Sequence, residues 1–240
     1  MIKRTKTNER SRYFPHVREV TRRLLQRYGH QRLGNKRDPF AELLFVILSS
    51  KTPPSRYRLT YRALRSAFPS PDDLARVEPT AIAKVIEVGG LADKKAHQIS
   101  EITRTLVREF GRVTLRPLAK MRDHKAELFL DKLPGIGKKM ARCVLMYALD
   151  RAVFPVDAHC FRICRRLGWA SSTIGLTDRT ADELQAGIPA GLRHDLHVGM
   201  ILLGREFCLA NRPKCLGCPL LPCCPTGQVE VAARSAERDI

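Results

Sequence analysis

Residues 133–141 read "LPGIGKKMA": two glycines, a proline and two adjacent lysines at the mouth of an apolar helical pattern. Gly135 and Gly137 permit a tight turn between two helices. The first-turn amides after Gly137 point outward with no intrahelical acceptor. Such a helix start is an anion site, and a DNA phosphate is its natural ligand. Lys138 and Lys139 are neighbours, so their side chains project about 100° apart and address different atoms. Two chemistries fit the stretch read alone. Either both lysines bind phosphate, or the helix dipole and Lys138 together disfavour charge on Lys139 and leave it an amine nucleophile.

Downstream, "KKMARCVLMYALD" (138–150) places Ala141, Val144, Leu145 and Ala148 at core spacing, and "RAVFPV" (151–156) breaks the helix. Asp157 heads the next one, "AHCFRICRRLG". The first helix carries the chain about 15 Å from Lys139 to Leu149, and the segment from Asp150 to Asp157 can return up to ~23 Å if extended. A carboxylate at 157 can therefore reach the amine at 139, there to accept a proton, orient the lysine or stabilise a developing cation. Asp157 also suits the N-cap of its own helix, and the two roles are compatible.

The 240 residues carry 43 Lys+Arg against 24 Asp+Glu, a formal charge of +19, and that excess points to a polyanionic partner. Ten Lys/Arg against two Glu over residues 1–32 read as a basic arm. No stretch approaches the ~20 apolar residues a membrane span needs, and the N-terminus has no apolar segment of the secretory kind. Five of the eight cysteines crowd into residues 208–224. In a chain with no export signal a metal is the better reading of that crowding than disulfides. Cys208, Cys215, Cys218 and Cys224 form C-x6-C-x2-C-x5-C. Spacing alone separates neither zinc from iron–sulfur nor Cys224 from Cys223 as fourth ligand. Cys143, Cys160 and Cys164 sit at helical positions and read as small buried residues.

Almost every segment reads helical and none alternates like a strand. Residues 39–50 are apolar nearly all round, as for a buried helix, and 55–68 show an amphipathic pattern. Ser70-Pro71 predicts the start of a short helix through Val77, and Pro79 to Val88 predicts another, stopped by Gly89 and Gly90. Asp93 is the expected cap of a long helix to Phe110. Pro213, Pro219, Pro222 and Pro225 forbid a long helix after Cys208.

Together, "LPGIGKKMA", "VDAH" with its aspartate 18 residues after Lys139, and the four-cysteine spacing resemble the endonuclease III family of helix-hairpin-helix DNA glycosylases. The resemblance covers residues 38–224. It implies an all-α, two-lobed protein: residues 32–151 form a central helical barrel ending in the hairpin, while 1–31 and 152–240 form a discontinuous lobe carrying a [4Fe-4S] cluster. It further implies a cytoplasmic, nucleoid-associated monomer that binds double-stranded DNA with damaged bases or abasic sites and flips the damaged nucleotide out. Lys139 matches the family's nucleophile, Asp157 its catalytic carboxylate, and Cys208, Cys215, Cys218 and Cys224 its cluster ligands. Leu91 matches the wedge residue, and the DNA contacts map to Lys51, Leu91, Gly135, Gly137, Lys138 and His159. The implied activity is excision of oxidised pyrimidines with strand nicking by β-elimination. Three departures matter: Lys51, followed by Thr52-Pro53-Pro54, stands where the family usually has the glutamine that fills the void left by the flipped base, Phe45 stands where the adenine-removing branch has a catalytic glutamate, and Ala92 replaces the tyrosine common after the wedge. That leaves as an alternative a damage- or mismatch-binding protein with altered lesion specificity and weak or no glycosylase activity.

Overall fold

A computed structural model describes residues 12–171 and 173–236. The first eleven residues of the expected basic arm lie outside the described residues. Every regular element among the described residues is helical, as the periodicity predicts. These are α1 (Val17–Tyr28), α2 (Pro39–Ser49), α3 (Pro54–Ala67), α4 (Asp73–Arg76), α5 (Pro79–Ile86), α6 (Ala92–Phe110), α7 (Asp123–Asp131), α8 (Lys138–Leu149), α9 (Ala158–Arg166), α10 (Asp178–Ala186), α11 (Arg193–Glu206) and α12 (Pro225–Ala236). None of them is long and apolar enough to cross a membrane. The chain forms two compact units: Gly34 to Arg151, and the residues up to Leu33 together with those from Ala152 onward.

In the first unit α2 is the central element, packed against α3 and α8. Asp38 caps it, its carboxylate accepting from the Phe40 and Ala41 N–H groups, and Pro39 pre-sets the first helical turn. Leu43, Leu44, Ile47 and Leu48 are fully buried, each contributing roughly 1.5–3 kcal/mol by leaving water. Helix α6 lies on α4 and α5 through Ala96, Ile99 and Leu106. In the other unit α11 packs against α1 and α9 around Leu24, Phe154, Ile163 and Met200. Trp169 stacks on Phe14 there, with ring centroids 5.2 Å apart, and its indole N–H donates to the Pro15 carbonyl at 3.1 Å.

Three boundaries depart from the sequence reading. Asp93 lies inside the first turn of α6, where it still complements the dipole. The cap is Leu91, whose carbonyl is the first to accept an intrahelical bond, from the Lys95 N–H at 3.0 Å. Ser70-Pro71 forms the turn before α4 and does not open it. The Asp73 carboxylate accepts from the Ser70 N–H while the Ser70 hydroxyl accepts from the Asp72 N–H, and this closure delays the helix to Asp73. Finally, α12 runs twelve residues after the cysteine loop because Pro225 occupies its first position, where no N–H is needed.

Candidate active site and thiol cluster

The hairpin between α7 and α8 is closed by Gly135 in the left-handed region (φ +67°). A Cβ there would stand 2.7 Å from Gln98 Nε2, which itself donates to the Pro134 carbonyl at 3.0 Å. Leu133 and Ile136 anchor the turn in the core. Gly137 is the N-cap of α8 and supplies no side-chain oxygen; its carbonyl accepts from the Met140 and Ala141 N–H groups, and nothing lies within 4 Å of where its Cβ would be. The first turn of α8 holds no acid, so its dipole is uncompensated from within that turn.

The two lysines diverge as their neighbouring positions require. Lys138 leans towards Glu127 of α7, with Nζ 4.0 Å from the carboxylate, and the buried Arg142 guanidinium meets the same carboxylate at 3.1 Å. The charge of Lys139 reaches Glu42, a fully buried carboxyl in the first turn of α2. Glu42 accepts from the Lys36 N–H at 2.6 Å and from the Asn35 amide. Burial pushes its pKa up to about 7, while those two hydrogen bonds and the charges of Lys36 and Lys139 pull it down. The sequence reading passed over Glu42, and the signal was an acid inside an otherwise apolar helix.

Lys51 and Leu91 are exposed, and both take the left-handed conformation, with φ of +53° and +55°. Their segments come together through a group the sequence reading also missed, Lys95, which is only 4% exposed. Its ammonium donates to the Leu48 carbonyl at 3.0 Å and to the Thr52 hydroxyl at 2.7 Å. Lys95 shares its helix face with Ile99 and Ile102, and that spacing was the legible sign of its burial.

In the other unit Asp157 caps α9, its carboxylate accepting from the Cys160 N–H at 2.8 Å. His159 is half-buried against Gly204, with Arg162 Nη2 3.0 Å from its Nδ1. Burial, followed by the Arg162 and Arg205 charges, lowers its pKa against the pull of Asp157. Cys160 and Cys164 are buried thiols, as expected, and burial raises both pKa values. Lys139 and Asp157 belong to different units.

Among the described residues, no group of three or more His, Cys, Asp or Glu side chains is arranged to hold a metal ion as it stands. Four thiols nevertheless sense one another. Burial raises Cys218 to about 11, and the charges of Cys208, Cys224 and Cys215 add to it; Cys224 and Cys215 each respond to Cys208. Arg166 donates to Cys208 Sγ at 3.0 Å and the Gly227 N–H to Cys224 Sγ at 3.3 Å. The donor chemistry, four thiols with N–H groups aimed at sulfur, suits a thiolate-ligated group.

Residues 44–189 match the HhH-GPD superfamily base excision DNA repair protein family. The chain belongs to this family. It is 29% identical over 202 residues to endonuclease III of Thermotoga maritima, covering 84% of this chain and 89% of that one. It is 27% identical to endonuclease III of Escherichia coli over 207 residues, covering 86% and 93%. Among solved structures it is similar to a non-covalent endonuclease III–DNA complex, with a TM-score of 0.77 at 26% identity over 90% of this chain and 97% of that chain. The expected kinship with the endonuclease III family therefore holds, and this HhH-GPD protein is a DNA glycosylase of base excision repair.

Proposed function

We propose that this glycosylase is also an abasic-site lyase, which excises oxidised pyrimidines from duplex DNA in the cytoplasm as a monomer and nicks the strand through a Schiff base on Lys139. The carrying observation is the placement of Lys139 in the acid-free first turn of α8, directly after the left-handed Gly135 turn and the Gly137 cap. A dipole's positive end favours the neutral amine that nucleophilic attack requires. With the nucleotide extruded, the Lys139 Nζ lone pair bonds to C1′, and the C1′–N bond breaks with its electron pair leaving on the base, which takes up a proton. The C1′–O4′ bond then breaks as the nitrogen lone pair forms the C1′=N iminium, and O4′ takes up a proton. Loss of a C2′ proton leaves the C2′–H electron pair to form the C2′=C3′ double bond while the C3′–O bond breaks with its pair on the departing 3′ phosphate, and water hydrolyses the imine to release Lys139. Asp157 would take the proton the amine sheds. Gly135, Gly137, Lys138 and His159 would hold the DNA backbone near this site.

Cys208, Cys215, Cys218 and Cys224 would hold a [4Fe-4S] cluster, with Arg166 and the Gly227 N–H stabilising the thiolates. A bound cluster supplies a covalent cross-link across the 208–224 loop.

Borohydride reduction in the presence of abasic-site duplex tests the reading. The wild-type protein is expected to become covalently trapped, while Lys139→Gln is not trapped and still binds DNA. Trapping that persists in Lys139→Gln removes this lysine from the mechanism. Absence of both trapping and base release across a panel of single-lesion duplexes, with affinity for damaged DNA retained, would instead favour the binding protein for which Lys51 speaks.

A further inference from the structure

Lys95 poses a physical problem. A buried ammonium is costly unless it is paired, yet among the described residues no carboxylate reaches it. What it holds is backbone and hydroxyl: the Leu48 carbonyl in the last turn of α2 and the Thr52 Oγ1. A hydroxyl carries one hydrogen. With one lone pair engaged by Lys95, Thr52 Oγ1 has two carbonyls for that hydrogen, and the nearer is Gly89 at 2.7 Å against Ser50 at 3.1 Å. Gly89 packs close against Thr60, where a Cβ would stand 2.8 Å from Thr60 Oγ1. The chain Lys95–Thr52–Gly89 thus joins the segment that follows α2 to the turn that precedes α6. Each segment ends in an exposed non-glycine residue in the left-handed region, Lys51 on one side and Leu91 on the other. Such conformations cost roughly 1–3 kcal/mol each and persist only where the surroundings enforce them.

We propose that Lys95 is a positioning residue that binds Lys51 and Leu91 into one rigid two-tipped probe for opening the duplex. The inference rests on the endonuclease III-like reading of those two tips, and it assigns their geometry to a buried cation that touches no DNA. A charge-assisted bond is about twice as strong as a neutral one, which accounts for an ammonium here despite the cost of its burial. Loss of any member frees both tips together, because the Thr52 hydroxyl is shared.

Extrusion is read without chemistry by 2-aminopurine fluorescence in a duplex carrying a tetrahydrofuran abasic analogue, with affinity from anisotropy on the same duplex. Lys95→Met and Thr52→Val are expected to lower the extrusion signal about tenfold while affinity changes by less than about threefold. In the Leu91→Ala background, Thr52→Val should then cost little more, because the two changes disable one unit. An unchanged signal in both single variants overturns the proposal. So do additive losses with Leu91→Ala, a wild-type protein that fails to extrude, and loss of signal that only tracks a collapsed thermal melt, the mark of a structural role. A wild-type protein that extrudes but is not trapped by borohydride would count against the Lys139 reading and leave this inference standing.

Discussion

Glu42 is the residue where burial and chemistry pull hardest against each other. In the unfolded chain it titrates near its ordinary 4.5, and in the fold near 7. Below the first value both states are protonated and the group is neutral to stability. Between them the unfolded chain releases a proton the native state keeps, so stability falls as pH rises, and above about 7 the whole penalty is present, on the order of 3 kcal/mol. Glu42→Gln cannot titrate. Denaturant unfolding at roughly pH 5 and pH 8 should therefore show the variant gaining about 3 kcal/mol on the wild type between the two. A flat difference would mean that Glu42 stays ionised in the native state. Asp157 allows a cleaner separation, because its capping and chemical roles have different atomic requirements. Asp157→Asn keeps a capping oxygen and should melt close to the wild type, whereas Asp157→Ala should lose about 1 kcal/mol. If the carboxylate takes the amine's proton, both variants lose single-turnover base release alike. These two residues differ in how they show themselves in sequence. Asp157 stands alone before an amphipathic run and declares its cap, while Glu42 hides in "PFAELLFVILSS", where local pattern says only that the helix is buried.

At the scale of the element, the α7–α8 hairpin contrasts two glycines that look equivalent in "LPGIGKKMA". Gly135 has φ +67° and no room beside Gln98, so Gly135→Ala meets left-handed strain and displaces the Gln98 amide. A loss of about 1–2 kcal/mol is expected from the backbone alone, read as a lower melting temperature. Gly137 has φ −104° and open space at its Cβ position, so Gly137→Ala should change stability by a few tenths of a kcal/mol. If that space receives a DNA phosphate, the same change should weaken duplex binding all the same. Most helices of this fold were legible because their apolar spacing is local. The misplaced starts of α4 and α6 were set by other forces. The α6 start depends on a left-handed Leu91, a conformation no pattern of side chains announces, and the α4 start depends on a reciprocal hydrogen-bond closure that competes with the proline signal.

At the scale of the molecule, joint spacing over the 92 residues from Leu133 of the hairpin through Asp157 to Cys224 made the family legible. Contacts that join distant segments were not legible. Lys95 to Thr52 spans 43 positions and Arg166 to Cys208 spans 42, and each is made by one polar side chain that periodicity treats as surface. The cysteine loop shows the difference. The spacing runs to Cys224 with Cys223 as a competitor, and in the fold Cys218 feels the charges of Cys208, Cys224 and Cys215. If the loop holds the proposed [4Fe-4S] cluster, Cys224→Ser should abolish the brown colour and visible absorption that such a cluster gives, and Cys223→Ser should retain both. Matching loss in the two variants would mean that the loop rearranges on cluster binding and that the fourth ligand is not fixed by this fold. The surplus charge of +19 acts independently of either cysteine. With several phosphates neutralised, duplex affinity should fall on the order of a thousandfold between about 50 and 200 mM salt. Cys223→Ser should keep that slope, because counterion release depends on lysines and arginines and not on the cluster loop.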